Sequence, residues 1–238
     1  MSFIINKDME TTARRLVALD LDDTLAPIAK PASEKAVSLL KDLLSRGDVI
    51  ALCSGKPLYY LTGFARQLGL EDIYLIGENG ATLQHGVALP PSERYVLTKE
   101  TEAIRLLKKR KEELESLIPG LYFQPNDCGL TPFPTRKEDY EAILAFDDAH
   151  PIPGVKRYRQ CDSIDFAPAD VDKGKALAFL AEKLGIPLTR VYAIGNAEND
   201  APMLQVAGTP IKVGNDPRLQ AAETFDTVEE ALSSILRR

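Results

Sequence analysis

Four times in this 238-residue chain a short, unbroken apolar run stops abruptly in polar residues. Leu16 to Leu19 runs into Asp20-Leu21-Asp22-Asp23-Thr24, and Val49 to Cys53 into Ser54-Gly55. IYLIG, from Ile73, meets Glu78-Asn79-Gly80, and VYAI, from Val191, meets Gly195-Asn196-Ala197-Glu198-Asn199-Asp200. Runs this short and this apolar suit strands buried on both faces, the condition of a parallel sheet. Segments of helical period lie between them. SEKAVSLLKDLLSRG places Ser33 as a cap, leucines at 39, 40, 43 and 44, and Gly47 just past the end. Leu58 to Leu68 and VDKGKALAFLAEKLGI read as further helices. Strand and helix alternating at this spacing predict an α/β fold, a Rossmann-like parallel sheet with helices on both faces.

The rhythm changes after Gly80. LPPSERYVL reads as strand and turn, TEAIRLLKKRKEELESLIPG as a long charged helix, and LYFQPNDCGLTPFPTR as irregular. RKEDYEAILAFDDAH is a second helix and VKRYRQCDSIDFAPA two short strands about a turn, together an α+β unit of different architecture. The α/β core is therefore expected from residues 1–81 and 165–238, with an α+β module inserted at 82–164. The mixed opening residues are read as partly disordered.

A net charge of −6 argues against nucleic acid or an anionic membrane as the main partner, since both reward a basic face. No run of about 18 apolar residues exists to span a bilayer, and MSFIINKDMETTARR holds no apolar core of signal-peptide length. Cys53, Cys128 and Cys161 are odd in number and irregular in spacing. They fit a reduced, cytoplasmic setting rather than a disulfide framework or zinc site.

The chemistry-bearing residues gather where open parallel sheets place their ligands, at strand C-terminal ends. Asp20 and Asp22, two apart in an extended segment, face the same side. Two carboxylates held that close share a proton or require a cation. Taken alone, each has an ordinary structural reading: a turn or cap acid, a turn hydroxyl at Ser54, a solvated lysine at Lys173 opening a helix.

As an ordered set they carry a resemblance. Asp20-Leu21-Asp22-Asp23-Thr24-Leu25 resembles the first motif of the haloacid dehalogenase (HAD) superfamily, most of whose members are Mg²⁺-dependent phosphatases. Ser54 is similar to the Ser/Thr of its second motif, Lys173 to its lone lysine, and Gly195 to Asp200 to its acidic G-D-x-x-N-D motif. The long interval between Ser54 and Lys173 resembles the subclass, IIB, that carries an α+β cap domain there. The resemblance implies a phosphatase acting on a small phosphorylated metabolite, of sugar-phosphate or phosphoglycolate type, through an aspartyl-phosphate. In that scheme Asp20 is the nucleophile and Asp22 the general acid and base. Ser54, Gly55 and Lys173 hold the phosphoryl group, Lys173 also serving catalysis, while Asp20, Asp22, Asn196 and Asp200 hold Mg²⁺. Thr24, Asn79 and Asn199 stand in substrate or supporting positions. Elementary electrostatics agrees: a carboxylate attacking a dianionic ester needs compensating cations.

One position departs from the pattern. Asn196 stands where the acidic motif has its first carboxylate, which predicts weaker metal binding because an amide oxygen ligates without formal charge. Two rival readings follow, a phosphomannomutase-like phosphotransferase and a non-catalytic phosphate-ligand binder. Gly55-Lys56 does not form a Walker loop, because Ile50 and Pro57 occupy its first glycine and Ser/Thr positions. Cys53 lacks the C-x₅-R arginine, Tyr59 standing there, and His85 and His150 lack ligand companions. Arg136, Lys137, Arg157 and Arg159 read equally as contacts to an anionic substrate or as a solvated face.

Overall fold

The computed structural model describes residues 14–238; the reading of the opening segment as partly disordered lies outside them. Strand β1 (Leu16–Asp20) is buried along its whole length, and its side chains divide by parity. Val17 and Leu19 pack with α1 (Glu34–Ser45), α2 (Leu58–Gln67) and α7 (Val228–Leu236). Leu16 and Ala18 face α5 (Lys173–Leu184) and α6 (Ala201–Val206). Both faces of β1 are thus covered, the arrangement that unbroken apolar runs require. Ser33 caps α1 as its position predicts, its side chain accepting from the Ala36 N–H.

The central sheet has eight strands in the order β12-β11-β10-β1-β2-β3-β4-β5. From β12 (Glu223–Phe225) through β11 (Thr209–Val213), β10 (Val191–Gly195), β1 and β2 (Val49–Cys53) to β3 (Tyr74–Gly77) every pairing is parallel. The chain leaves β1 toward β2 on one side and returns to β10 on the other. The C-terminal end of β1, where Asp20 sits, is therefore a topological switch point, the place where open α/β sheets form a crevice.

The expected module boundaries differ from the sheet topology. Strands β4 (Thr82–His85) and β5 (Glu93–Val96), assigned to the insertion by their position after Gly80, pair antiparallel onto the edge of the central sheet. The change of rhythm marks a switch from parallel crossover to antiparallel hairpin, not an exit from the sheet. At the other end β9 (Ile164–Pro168), placed in the core from residue 165, pairs with β8 (Val155–Arg159). The inserted module therefore runs from α3 (Thr101–Leu117) through β9. It has its own apolar core, Leu107, Leu114, Leu130, Ile143, Ile164 and Phe166 among its members, contributed by α3, α4 (Lys137–Ala149) and the strands. Segment 121–136, expected to be irregular, holds β6 (Tyr122–Gln124) and β7 (Thr131–Phe133), which pair with each other. Three-residue strands, one followed by Pro125 and the other containing Pro132, are too short to show an alternation. No helix among the described residues is long and apolar enough to cross a membrane.

Candidate active site

The polar clusters at the ends of β1, β2, β3 and β10 converge with the β8–β9 turn of the inserted module. Between them lies a cavity of about 280 Å³, whose wall includes Asp20, Asp22, Ser54, Gly55, Asn196 and Asn199. The inserted module contributes Gln124, Arg159, Cys161, Asp162 and Asp165 to the same cavity.

Beneath it lies a buried ion triad. Lys173 Nζ, whose side chain has no solvent exposure, sits 2.6 Å from Asp20 Oδ1 and 2.6 Å from Asp200 Oδ1. A lysine in the first turn of α5 opposes the helix dipole, and burial also works against its charge. The two carboxylates outweigh both and hold the ammonium charged well above the ordinary lysine range. One cation shared by two carboxylates leaves each incompletely compensated. Burial first, then the Asp200 charge, push the Asp20 carboxyl up to about 7 against the pull of Lys173.

Asp200 is held by more than the lysine. Its Oδ2 accepts from the N–H groups of Asn196 (2.9 Å) and Ala197 (3.0 Å). This geometry explains the glycine that opens the motif: a Cβ on Gly195 would stand 2.5 Å from Asp200 Cβ and 2.8 Å from its Oδ2. Asp200 is absent from the cavity wall, and both its oxygens are engaged by protein donors, so the expectation that it ligates a metal does not fit its place. It serves as the anchor of Lys173 and of the 196–200 turn. Lys173 likewise lies below the cavity rather than on its wall.

The remaining expected residues fall as follows. Asp22 is partly exposed, with its Oδ2 3.5 Å from Lys56 Nζ. Ser54 is buried, its hydroxyl accepting from the Lys56 N–H at 3.1 Å. Thr24 is buried away from the cavity wall, and its hydroxyl has no hydrogen-bond partner among the described residues. Asn79 is buried behind the wall and joins Asn199, whose Nδ2 donates to Asn79 Oδ1 at 3.1 Å. Of the basic residues in the inserted module, Arg159 reaches the cavity. Arg157 is engaged by Asp147 and Asp148, and Arg136 by Asp139. Sequence reasoning passed over Lys56 and Asp165. Lys56 was visible only as part of a failed Walker match, and Asp165 as one acid in a short strand with no motif around it.

The donors suit a hard divalent cation. Asn196 Oδ1 is buried without a hydrogen-bond partner among the described residues, and Asn196 lines the cavity with Asp20 and Asp22. A buried acceptor left unpaired costs about 1–3 kcal/mol, and a cation would satisfy it. Oxygen donors from these three residues, the Asp20 carboxylate, the Asp22 backbone carbonyl and the neutral Asn196 amide, match the oxygen preference of Mg²⁺, which keeps several waters. Among the described residues no group of three or more His, Cys, Asp or Glu side chains gathers that could hold a metal by itself.

The sequence family is decided by a model of haloacid dehalogenase-like hydrolases that matches residues 17–117 and 146–231. The chain belongs to that family. A phosphoglycolate phosphatase of Archaeoglobus fulgidus is 30% identical over 217 residues, covering 87% of this chain and 86% of that one. A Bacillus subtilis 5-amino-6-(5-phospho-D-ribitylamino)uracil phosphatase, YitU, is 23% identical over 84% of this chain and 86% of its own. Among solved structures, a haloacid dehalogenase-like hydrolase from Bacteroides thetaiotaomicron superposes with a TM-score of 0.74 at 20% identity, covering 93% of this chain and 99% of that one. The chain is a phosphatase of the cap-bearing IIB type, a phosphoric monoester hydrolase.

Proposed function

We propose that this phosphatase hydrolyses small phosphorylated metabolites, of sugar-phosphate or phosphoglycolate type, with Asp20 as nucleophile and Mg²⁺ as cofactor. The observation that carries the reading is the pairing of Asp20 with Asp22 on one cavity wall beside Ser54 and Gly55, with Lys173 held against Asp20. A cavity near 280 Å³ is at the small end of ligand pockets, roughly 300–1,000 Å³, which favours a compact ester. The relatives named as phosphoglycolate and ribitylaminouracil phosphatases support the same substrate range.

In the first step an Asp20 carboxylate oxygen bonds to phosphorus as the ester P–O bond breaks, and Asp22 delivers its proton to the departing alkoxide. Asp22, now ionised, takes a proton from a water whose oxygen attacks the phosphoryl group. The bond to Asp20 breaks, releasing inorganic phosphate and restoring both carboxyl groups. Ser54 and the adjoining N–H groups hold phosphoryl oxygens, and Lys173 keeps Asp20 oriented and partly neutralised. When bound, Mg²⁺ supplies the positive charge that offsets repulsion between Asp20 and the ester; Asp20, Asp22 and Asn196 would hold it. The cap excludes bulk water and selects the leaving group.

Purified protein with Mg²⁺ and a panel of metabolite phosphate monoesters tests the proposal. Release of one phosphate per ester consumed, lost in Asp20→Asn, is the expected outcome. Interconversion of sugar phosphates without phosphate release would instead make the protein a phosphotransferase of the phosphomannomutase kind.

A further inference from the structure

The cap turns one buried carboxylate, Asp165 on β9, toward the core. Among the described residues its side chain has no ion-pair partner, and its contacts are hydrogen bonds. It accepts from Asn79 Nδ2 on Oδ2 (3.0 Å) and from Thr131 Oγ1 on Oδ1 (2.8 Å). Asn79 belongs to the turn after β3, and its Oδ1 accepts from Asn199 Nδ2 of the 196–200 turn. The four side chains form an unbroken chain Thr131–Asp165–Asn79–Asn199, from the cap strands to the turn that carries Asn196. All four residues are buried.

Three further features surround this chain. Asn79 has φ 53° and ψ 34°, a left-handed conformation that asparagine tolerates better than most residues. Its neighbour Glu78, at φ 50°, accepts from the backbone N–H groups of Asp127, Cys128 and Gly129 in the cap, each at 2.8 Å. The chain also lies directly over the Ser54–Gly55 turn. A Cβ on Gly55 would stand 2.8 Å from Asp165 Oδ2 and 3.2 Å from Asn79 Nδ2. Gln124 Nε2 of the cap donates to the Gly55 carbonyl at 3.1 Å.

We infer that Asn79 and Asp165 are positioning residues: the Asp165–Asn79–Asn199 chain couples the seating of the cap to the geometry of the Asn196–Asp200 turn, so that the catalytic floor is set only when the cap is seated. Asp165 touches neither Asp20 nor Lys173 by hydrogen bond, and it acts through Asn79. The inference rests on the proposed function for the identity of that floor, but the coupling is a property of the hydrogen-bond chain itself.

The donor pattern supplies a reciprocal test. Asn79→Asp places two carboxylates about 3.0 Å apart, where an amide faced a carboxylate. Asp165→Asn alone changes little, because the Thr131 hydroxyl accepts as readily as it donates. The double substitution Asn79→Asp/Asp165→Asn restores a donor–acceptor pair across the cap boundary. It also keeps the acceptor for Asn199 and returns a carbonyl to Thr131.

Two readouts are taken on the full chain. The first is amide hydrogen exchange at residues 196–200, which lie in the core and touch no substituted cap atom. The second is steady-state hydrolysis of p-nitrophenyl phosphate with Mg²⁺. Asn79→Asp is expected to raise exchange at 196–200 at least tenfold and to lower kcat tenfold or more, with KM changed less than threefold. The double variant returns both to within threefold of wild type. A cap acting only as a cover would raise KM and leave exchange at 196–200 unmoved, and that result overturns the inference. So does a double variant no better than Asn79→Asp. If the wild type hydrolyses no phosphate ester, the proposed function fails, and the exchange measurement still decides the coupling.

Discussion

Removing the Lys173 ammonium while leaving its space filled isolates the buried triad. Lys173→Met keeps the apolar stem but leaves Asp20 and Asp200, whose side chains are 8% and 0% exposed, without their shared cation. Breaking a buried pair by deleting one partner costs about 3–5 kcal/mol. No discount for solvent screening applies, because the ammonium has no exposure. In a chain of this size each kcal/mol moves the melting temperature by roughly 2–4 °C, so a drop of roughly 6–20 °C is expected. The assay is urea and thermal unfolding with EDTA present, so that metal does not substitute for the lysine. Adding Asp200→Asn to Lys173→Met removes one uncompensated charge while keeping an acceptor for the Asn196 and Ala197 amides. The double variant is therefore expected to be more stable than the single, by about 1 kcal/mol or more of coupling. A loss below about 1 kcal/mol in Lys173→Met, or a double variant that is simply the sum of its parts, refutes the account of the triad.

Three other outcomes follow from the same geometry. Asn196→Asp adds a formal charge to the donor set, so the Mg²⁺ concentration for half-maximal turnover should fall roughly tenfold or more, ligand charge being a main determinant of affinity; an unchanged requirement removes Asn196 from that set. Gly55→Ala drives a methyl group against Asp165 and Asn79, and an overpacking cost of about 1–3 kcal/mol is expected in urea unfolding; wild-type stability contradicts the close approach. Burial pushes the Asp165 carboxyl up, opposed by its bonds from Asn79 and Thr131 and by the charges of Lys56 and Lys173. The folded protein then keeps that proton at pH values where the unfolded chain, with an ordinary value of about 3.9, has released it. This contribution to stability falls as pH rises from about 4 through the folded value. Asp165→Asn is expected to gain on wild type over that range, and a difference that stays constant with pH counts against the buried carboxyl.

The core was legible in the sequence because its signals are local and repeated. Leu16–Leu19 and Val191–Ile194 are apolar on every residue, as strands covered on both faces must be, and each ends in the residues that reach the cavity. Ser33, Gly47 and the leucines of α1 mark a helix without tertiary help. The edge of the sheet was not legible. Strands β4 and β5 join it through an antiparallel hairpin, and hairpin geometry depends on the left-handed turn at Glu78 and Asn79, where asparagine is a turn residue but glutamate is not. Asp200 shows the limit of motif reading: an acid in a metal-associated motif looks like a ligand until its two oxygens are found on Lys173 and on two backbone amides. Asp165 lay outside any motif, and only the folding of β9 over Gly55 gives it a partner.

The central claim is that Asp20 itself carries the phosphoryl group during turnover. Rapid acid quench of wild-type protein mixed with Mg²⁺ and excess substrate, followed by peptide mass mapping, measures this directly. The account predicts a phosphoryl adduct on the peptide spanning Leu16 to Leu25, localised to Asp20 and absent from Asp20→Asn. Hydrolysis that proceeds at the wild-type rate in Asp20→Asn, or an adduct on any other residue, would contradict it.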